Sequence, residues 1–271
     1  MIRLIATDLD GTIINENNQC DLSVVETVRQ FRENGIRFAV CSGRPVDSYL
    51  HHLKRWGLYE LADYVIGSNG GEVLETATGR RSESYLLPPE LYREIIDLYR
   101  PLGCMPTIYA GTTLYVPEIT EGVRIMTTRV GVTAVKADID AILTKPMIKE
   151  MFIVDPSNMA SVEAFAAAHP DDRYVCFKTA VDLFEVNHPK LAKDAGMAMI
   201  SEMTGIKAEE MMAFGDTTND IPMLKYVKYG ICMANGSEDA LSSAYAVAPA
   251  MQENGFAQYL KVHLKGNEFI D

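Results

Sequence analysis

The chain has 271 residues, enough for about two domains at roughly 150 residues each, and with 48% hydrophobic and 23% charged residues it has the composition of a folded protein, which excludes extended disorder. Asp plus Glu number 37 against 25 Lys plus Arg, and the net charge of −12 argues against nucleic acid or an anionic membrane as a general partner. An anionic substrate must therefore be held by local positive groups.

Ile2 to Thr7 is rich in apolar and β-branched residues and stops at Asp8, which predicts a buried strand running into a polar loop. Acids at positions 8 and 10 come too early for the apolar stretch of a signal peptide. Val24, Val25, Val28 and Phe31 recur at helical spacing, with Gly35 suited to the helix end. A second strand over Ile36–Cys41, a helix over Pro45–Trp56 and a third strand over Tyr64–Gly67 complete a βαβαβ pattern, the signature of a parallel sheet with covering helices. The alternation then breaks. Glu72 to Leu87 reads as a hairpin around Ala77-Thr78-Gly79-Arg80, and Pro88-Pro89 opens a helix faced by Leu91, Ile95, Leu98 and Leu102. Strand-like pieces at 107–109, 113–116, 149–154, 174–177 and 182–187, with helices near 120–130, 138–143 and 157–168, predict a separate α+β module over 85–188. From His188-Pro189 the strand and helix rhythm returns: helix Leu191–Thr204, strand Met211–Phe214, helix Ile221–Tyr226, strand Tyr229–Met233. Residues 1–84 and 189–271 are thus expected to form one doubly wound α/β core, with proline-bearing linkers hinging the insert.

Five cysteines, at 20, 41, 104, 176 and 232, form no CxxC pair and fit a reducing, cytoplasmic setting better than a disulfide framework or zinc site. No apolar run approaches the roughly 20 residues that span a bilayer.

Three polar segments directly follow predicted strands, where loops of an open parallel sheet converge on a ligand crevice. Asp8-Leu9-Asp10-Gly11-Thr12 sets two carboxylates one residue apart before a glycine turn; alone, such a pair also serves as an ordinary Asp turn. Cys41-Ser42-Gly43-Arg44-Pro45 offers a hydroxyl, a flexible amide and a helix N-terminus suited to phosphate, or simply an N-cap. Gly215-Asp216-Thr217-Thr218-Asn219-Asp220 crowds oxygen ligands for a divalent cation into one loop, or caps a helix. Lys193 lies near the start of a helix, where most lysines are merely solvated. Gathered in one crevice, Asp8, Asp10, Asp216 and Asp220 would raise each other's pKa unless a cation such as Mg²⁺ and Lys193 offset the charge.

These segments, in this order and with the insert between the second and Lys193, resemble the four motifs of a haloacid dehalogenase superfamily phosphatase, of the Cof-type group with a type IIB cap. Asn69-Gly70 and Ala234-Asn235 resemble the family's loops after the third and fifth strands. The resemblance covers the whole chain and implies a magnesium-dependent phosphatase acting on a small phosphate monoester, a sugar phosphate or a similar metabolite. By it, Asp8 is the nucleophile that becomes an aspartyl-phosphate and Asp10 the general acid and base. Asp8, the backbone carbonyl of Asp10 and Asp216 hold Mg²⁺ with Asp220 nearby, and Leu9, Ser42, Gly43, Lys193 and Asn219 hold the phosphate. Where the family usually has glycine after this lysine the chain has Asp194, which leaves Lys190 as an alternative. A phosphomutase of the same superfamily and a non-catalytic phosphate-binding regulator remain open, as does a monomer or a weak homodimer. Tyr109, Tyr115, Arg124, Arg129 and Lys178 of the insert are candidate substrate contacts, though such residues equally serve packing and surface.

Overall fold

The apolar run at the N-terminus forms the strand Leu4–Asp8, buried at every residue. The structure, a computed structural model, describes residues 1–270, Val130 by its backbone alone. It divides into two compact units, Met1–Ser82 with Ala192–Asp271, and Glu83–Leu191.

In the first unit Leu4–Asp8 lies inside an eight-stranded sheet. Its order is Ala246–Ala248, Tyr229–Met233, Met211–Gly215, Leu4–Asp8, Arg37–Cys41, Tyr64–Gly67, Glu72–Glu75 and Arg81–Glu83. The first six strands run parallel, and Glu72–Glu75 turns back antiparallel on Tyr64–Gly67. Because side chains alternate along a strand, Ile5 packs on one face with Val28, Phe31 and Phe256, while Leu4 and Ala6 pack on the other with Met197, Ile200 and Leu224. Apolar faces on both sides of one sheet are what a doubly wound α/β unit requires.

The second unit carries a six-stranded sheet ordered Val175–Ala180, Leu183–Asn187, Lys149–Ile153, Met105–Ala110, Thr113–Val116 and Thr133–Lys136. Its pairs are antiparallel except the last, which is parallel. The helices Pro89–Tyr99 and Met159–Ala168 bury Tyr92, Tyr99 and Val162 in one cluster with Phe152 and Phe184 of the sheet.

The structure corrects some expectations. The hairpin strand ends at Glu83, and Leu87 instead bridges to Met147. The helix expected from Leu191 begins at Lys193. The strands Thr133–Lys136 and Ala246–Ala248 and the helices Glu238–Ser243 and Gly255–His263 had no clear periodic signal; Thr133–Lys136 has no buried residue, so no buried face imposes an alternating pattern on it.

Candidate active site

Strand register decides which loops meet. Thr7 pairs with Phe214 and Asp8 with Cys41, so the segments that begin at Leu9, at Asp216 and at Ser42 all leave the same edge of the sheet. The Ser42 amide donates to Ile66 O at 2.9 Å, which brings the turn after Tyr64–Gly67 to that edge as well.

The helix Lys193–Thr204 opens on its lysine with Ala192 as N-cap, a position where the helix dipole disfavours a cation. The Lys193 side chain is nevertheless 1% exposed, and its Nζ donates to Asp8 Oδ1 at 2.5 Å and Asp220 Oδ1 at 2.6 Å. Burial opposes the ammonium charge, but Asp8 and Asp220 outweigh it and hold the Lys193 pKa above its usual value. Asp8 is shifted upward, first by burial and then by Asp220 and Asp216, with the attraction of Lys193 working the other way. Lys190 is exposed, so the lysine that meets the acids is Lys193. Asp194 sits in the first helical turn, where a carboxylate suits the positive helix end.

Ligand atoms of Asp8, Asp216 and Asp220 lie within 4.8 Å of one another. All are carboxylate oxygens, the donor type that hard divalent cations take. Asp220 Oδ2 accepts from the amides of Asp216 at 2.9 Å and Thr217 at 3.0 Å, so this acid also shapes the loop that presents Asp216. Thr12 Oγ1 donates to Asp216 Oδ1 at 3.0 Å. Gly11 has φ +85°, and a Cβ there would stand 2.4 Å from Asp216 Oδ2; only glycine both accepts this backbone and leaves room for the acid. Burial, and next Asp220, push the Asp216 carboxyl up to about 6 against the Thr12 hydrogen bond. An acid set that resists ionisation this way is one that a cation would complete.

Asp10 stands outside this cluster. Its exposed carboxylate is held by Arg44 Nη2 at 2.9 and 3.1 Å. The Leu9 side chain is packed in the apolar core, which leaves its backbone as the group available to a ligand. Ser42 is buried, and its Oγ accepts from the Arg44 amide at 3.2 Å. Asn219 is exposed, with Thr217 Oγ1 donating to its Oδ1 at 2.7 Å.

Other residues organise these loops. Asn235 donates to Gly11 O at 2.8 Å and accepts from the Met251 amide at 2.8 Å, pinning the first loop to another part of the same unit. Pro45 cannot cap the helix Val46–Arg55 with its side chain, and Glu72 does so from the neighbouring strand. Its Oε1 accepts from the Val46 amide at 2.8 Å and from Ser68 Oγ at 3.0 Å. Ser68, Asn69 and Gly70 have φ of 52°, 54° and 91°, a left-handed turn that glycine adopts freely, asparagine tolerates, and serine enters at roughly 1–2 kcal/mol.

The second unit has polar groups of its own under burial. Lys149 Nζ donates to Glu185 Oε1 at 2.9 Å. Lys149 pairs with Asn187 and Met151 with Glu185 across adjacent strands, so these side chains share one face of the sheet. Glu185 Oε2 and Asn187 Oδ1 are buried without a hydrogen-bond partner. Tyr109 stands nearby, its hydroxyl pushed up to about 12 by burial and then by Glu185. Of the other insert candidates, Arg129 pairs with Asp182 at 2.6 Å, Tyr115 is half-buried, and Arg124 and Lys178 are exposed. No helix among the described residues is long and apolar enough to cross a membrane.

The chain is similar along its length to several known proteins. YxeH of Bacillus subtilis (strain 168) is 27% identical over 260 residues, which cover 95% of this chain and 96% of that protein. Phosphatase YwpJ of the same organism is 25% identical over 293 aligned positions, covering 96% and 99% of the two chains. Among solved structures, a haloacid dehalogenase-like hydrolase from Bacteroides thetaiotaomicron superposes with a TM-score of 0.86 at 22% identity, covering 97% of this chain and 99% of that one. A sugar phosphatase of haloacid dehalogenase subclass IIB superposes with a TM-score of 0.78 at 21% identity, covering 96% and 98%. These superpositions speak to the α/β fold. A sequence profile of haloacid dehalogenase-like hydrolases matches residues 5–260, and the chain is an enzyme of that family.

Proposed function

We propose that the chain is a magnesium-dependent phosphatase that hydrolyses a small phosphate monoester, a sugar phosphate or a similar metabolite, through an aspartyl-phosphate on Asp8. The observation that carries this reading is the placement of Asp8 at the end of an inner strand, on the ammonium of a fully buried Lys193 and beside Asp216 and Asp220. The names of the relative YwpJ and of the subclass IIB neighbour support a phosphate ester as substrate.

In this mechanism an Asp8 oxygen attacks phosphorus while the bond to the ester oxygen breaks, and Asp10 gives that oxygen a proton. Asp10 then takes a proton from water, whose oxygen attacks the same phosphorus and frees Asp8 and inorganic phosphate. For both steps the Asp10 side chain exchanges Arg44 for the reacting oxygen. Ser42, Gly43, Lys193 and Asn219, with the Leu9 backbone, hold the phosphoryl oxygens, since such transfers depend mainly on positioning and charge. Asp8, Asp216 and the Asp10 carbonyl would hold Mg²⁺, with Asp220 fixing the loop. When bound there the cation offsets the charge of the acids and of the transferred group.

The inserted unit, expected over 85–188, is on this reading the type IIB cap that selects the leaving group. Its support lies within that unit: Glu185 Oε2 and Asn187 Oδ1 are buried acceptors without donors, which the hydroxyls of a sugar would supply.

The test is phosphate release from a panel of monoesters with Mg²⁺, before and after exhaustive chelation, alongside quenched-reaction mass measurement. Asp8→Asn should abolish turnover and covalent phosphate. Asp10→Asn should lose about 10²–10⁴-fold in turnover and accumulate phosphoenzyme from an ester whose leaving group needs no proton. Activity that survives chelation, or acid-stable label on serine or histidine, would sink the mechanism. Isomerised ester without free phosphate would favour a mutase, and stable phosphoenzyme with no release a regulator.

A further inference from the structure

The left-handed turn at 68–70 places two non-glycine side chains in a backbone conformation that glycine accepts more easily. The turn is clamped from several directions: the Ser68 amide donates to Arg44 O at 2.8 Å, the Asn69 amide to Ser42 O at 3.2 Å, and Ser68 Oγ to Glu72. At Gly70 an added Cβ would fall 2.3 Å from Ala192 O, the residue before Lys193. The turn therefore touches both the Ser42 loop and the start of the lysine helix. Ser68 uses its hydroxyl on Glu72, and the side chain of Asn69 goes elsewhere. Its amide lies over Gly43, where a Cβ would be 3.0 Å from Asn69 Oδ1. That same oxygen is 3.5 Å from Asn219 Nδ2, while Thr217 holds the opposite end of the Asn219 amide.

We propose that Asn69 is a positioning residue for the phosphate site: it stacks on Gly43 and orients the Asn219 amide, so that the second N–H of Asn219 is presented to a phosphoryl oxygen. The proposal rests on the phosphatase reading above. Asparagine tolerates the φ of 54° here, and unlike glycine it brings a side chain that reaches Gly43 and Asn219. Thr217 and Asn69 take the oxygen and one N–H of Asn219, which fixes the rotation of its amide.

The experiment compares Asn69→Gly, Asn69→Ala, Asn219→Ala and the double variant Asn69→Gly/Asn219→Ala in the full chain. It reads the thermal unfolding midpoint, the affinity for inorganic phosphate by calorimetry with Mg²⁺, and KM and kcat for p-nitrophenyl phosphate. Asn69→Gly keeps a residue that accepts this backbone and should change the midpoint little, yet weaken phosphate about tenfold, the scale of one hydrogen bond, with KM changing more than kcat. Asn69→Ala removes the same amide in a conformation alanine dislikes, so it should lose both affinity and midpoint. The double variant should bind phosphate no worse than Asn219→Ala, because residues acting through one another are not additive. Unchanged phosphate affinity in Asn69→Gly, or additive losses in the double variant, would overturn the proposal. A wild-type chain that binds phosphate but hydrolyses no ester would defeat the phosphatase reading while the calorimetry still decides Asn69. A wild-type chain that binds no phosphate would overturn the role given to Asn69, while ester turnover still decides the phosphatase reading.

Discussion

Polar and charged side chains are buried in both units, and the two satisfy them to different degrees. In the first, Lys193 lies between Asp8 and Asp220 at 2.5 and 2.6 Å, and the second oxygen of Asp220 is taken by backbone amides. In the second, Glu150, Glu185 and Asn187 are each buried with one oxygen unpartnered. A charge taken out of water is tolerable when a partner replaces the solvent and costly when none does. The first unit has a network of acids closed around one lysine, whereas the second keeps open acceptors.

The harshest way to break this contrast is to open the closed network. Lys193→Met leaves two buried acids without their cation, and removing one partner of a buried ion pair typically costs about 3–5 kcal/mol. Thermal unfolding without metal should show a loss on this scale, and phosphate release should vanish. Lys190→Met, at an exposed position, should stay within about 0.5 kcal/mol. Equal effects at the two positions would show that Lys193 does not hold the acids together.

The acids of this network stood out in the sequence because each follows an apolar strand within a few residues, as Asp8 follows Leu4–Thr7 and Asp216 follows Met211–Gly215. Lys193 was legible only through the spacing of a known family, since one lysine at a helix start carries no local signal. Glu72 was not legible as a cap for Val46–Arg55, because the two groups are 26 positions apart and meet only through sheet pairing. Asn69 was marked only by resemblance to a family loop, and the use of its side chain lies in a backbone conformation and in contacts with Gly43 and Asn219 that no periodicity encodes. Glu185 and Asn187 passed as ordinary strand residues, for burial without a partner is a property of the packed sheet.

A milder test addresses Glu150, which lies on the sheet face opposite Lys149 and Met151. It is fully buried, with its Oε1 only 3.4 Å from the Thr107 amide. Burial above all holds its carboxyl well above the usual range, although hydrogen bonds from Tyr92 and the Thr107 amide work against this. A folded pKa raised above the unfolded value of about 4.3 means that the unfolded chain releases this proton first. Its contribution is therefore fully present below that pH and is lost as pH rises toward the folded value, at up to about 1.4 kcal/mol per pH unit. Glu150→Gln keeps the shape and an acceptor without the titration, so its stability advantage over the wild type should widen from pH 5 to pH 8. Thermal unfolding across that range checks it, and a constant difference would mean that folding does not raise the Glu150 pKa above its unfolded value.

The smallest expected effect separates an acceptor kept for a ligand from one that is merely left over. Asn187 is 2% exposed and its Oδ1 has no donor, while Lys149 beside it is already on Glu185. An unsatisfied buried acceptor costs about 1–3 kcal/mol, and replacing it by an apolar group of similar size recovers part of that. Asn187→Leu should therefore raise the stability of the free protein by ~1 kcal/mol, a shift of a few degrees in midpoint for a chain of this size. If the acceptor serves a hydroxylated leaving group, the same substitution should lower kcat/KM for sugar phosphates relative to p-nitrophenyl phosphate by about tenfold, the scale of one lost hydrogen bond. A gain in stability with an unchanged substrate ratio would make the open acceptors a packing defect and remove them from the proposed selection of substrate. A loss of stability would instead show that Asn187 already has a partner in the free protein, and the contrast between the two units would no longer hold at this residue.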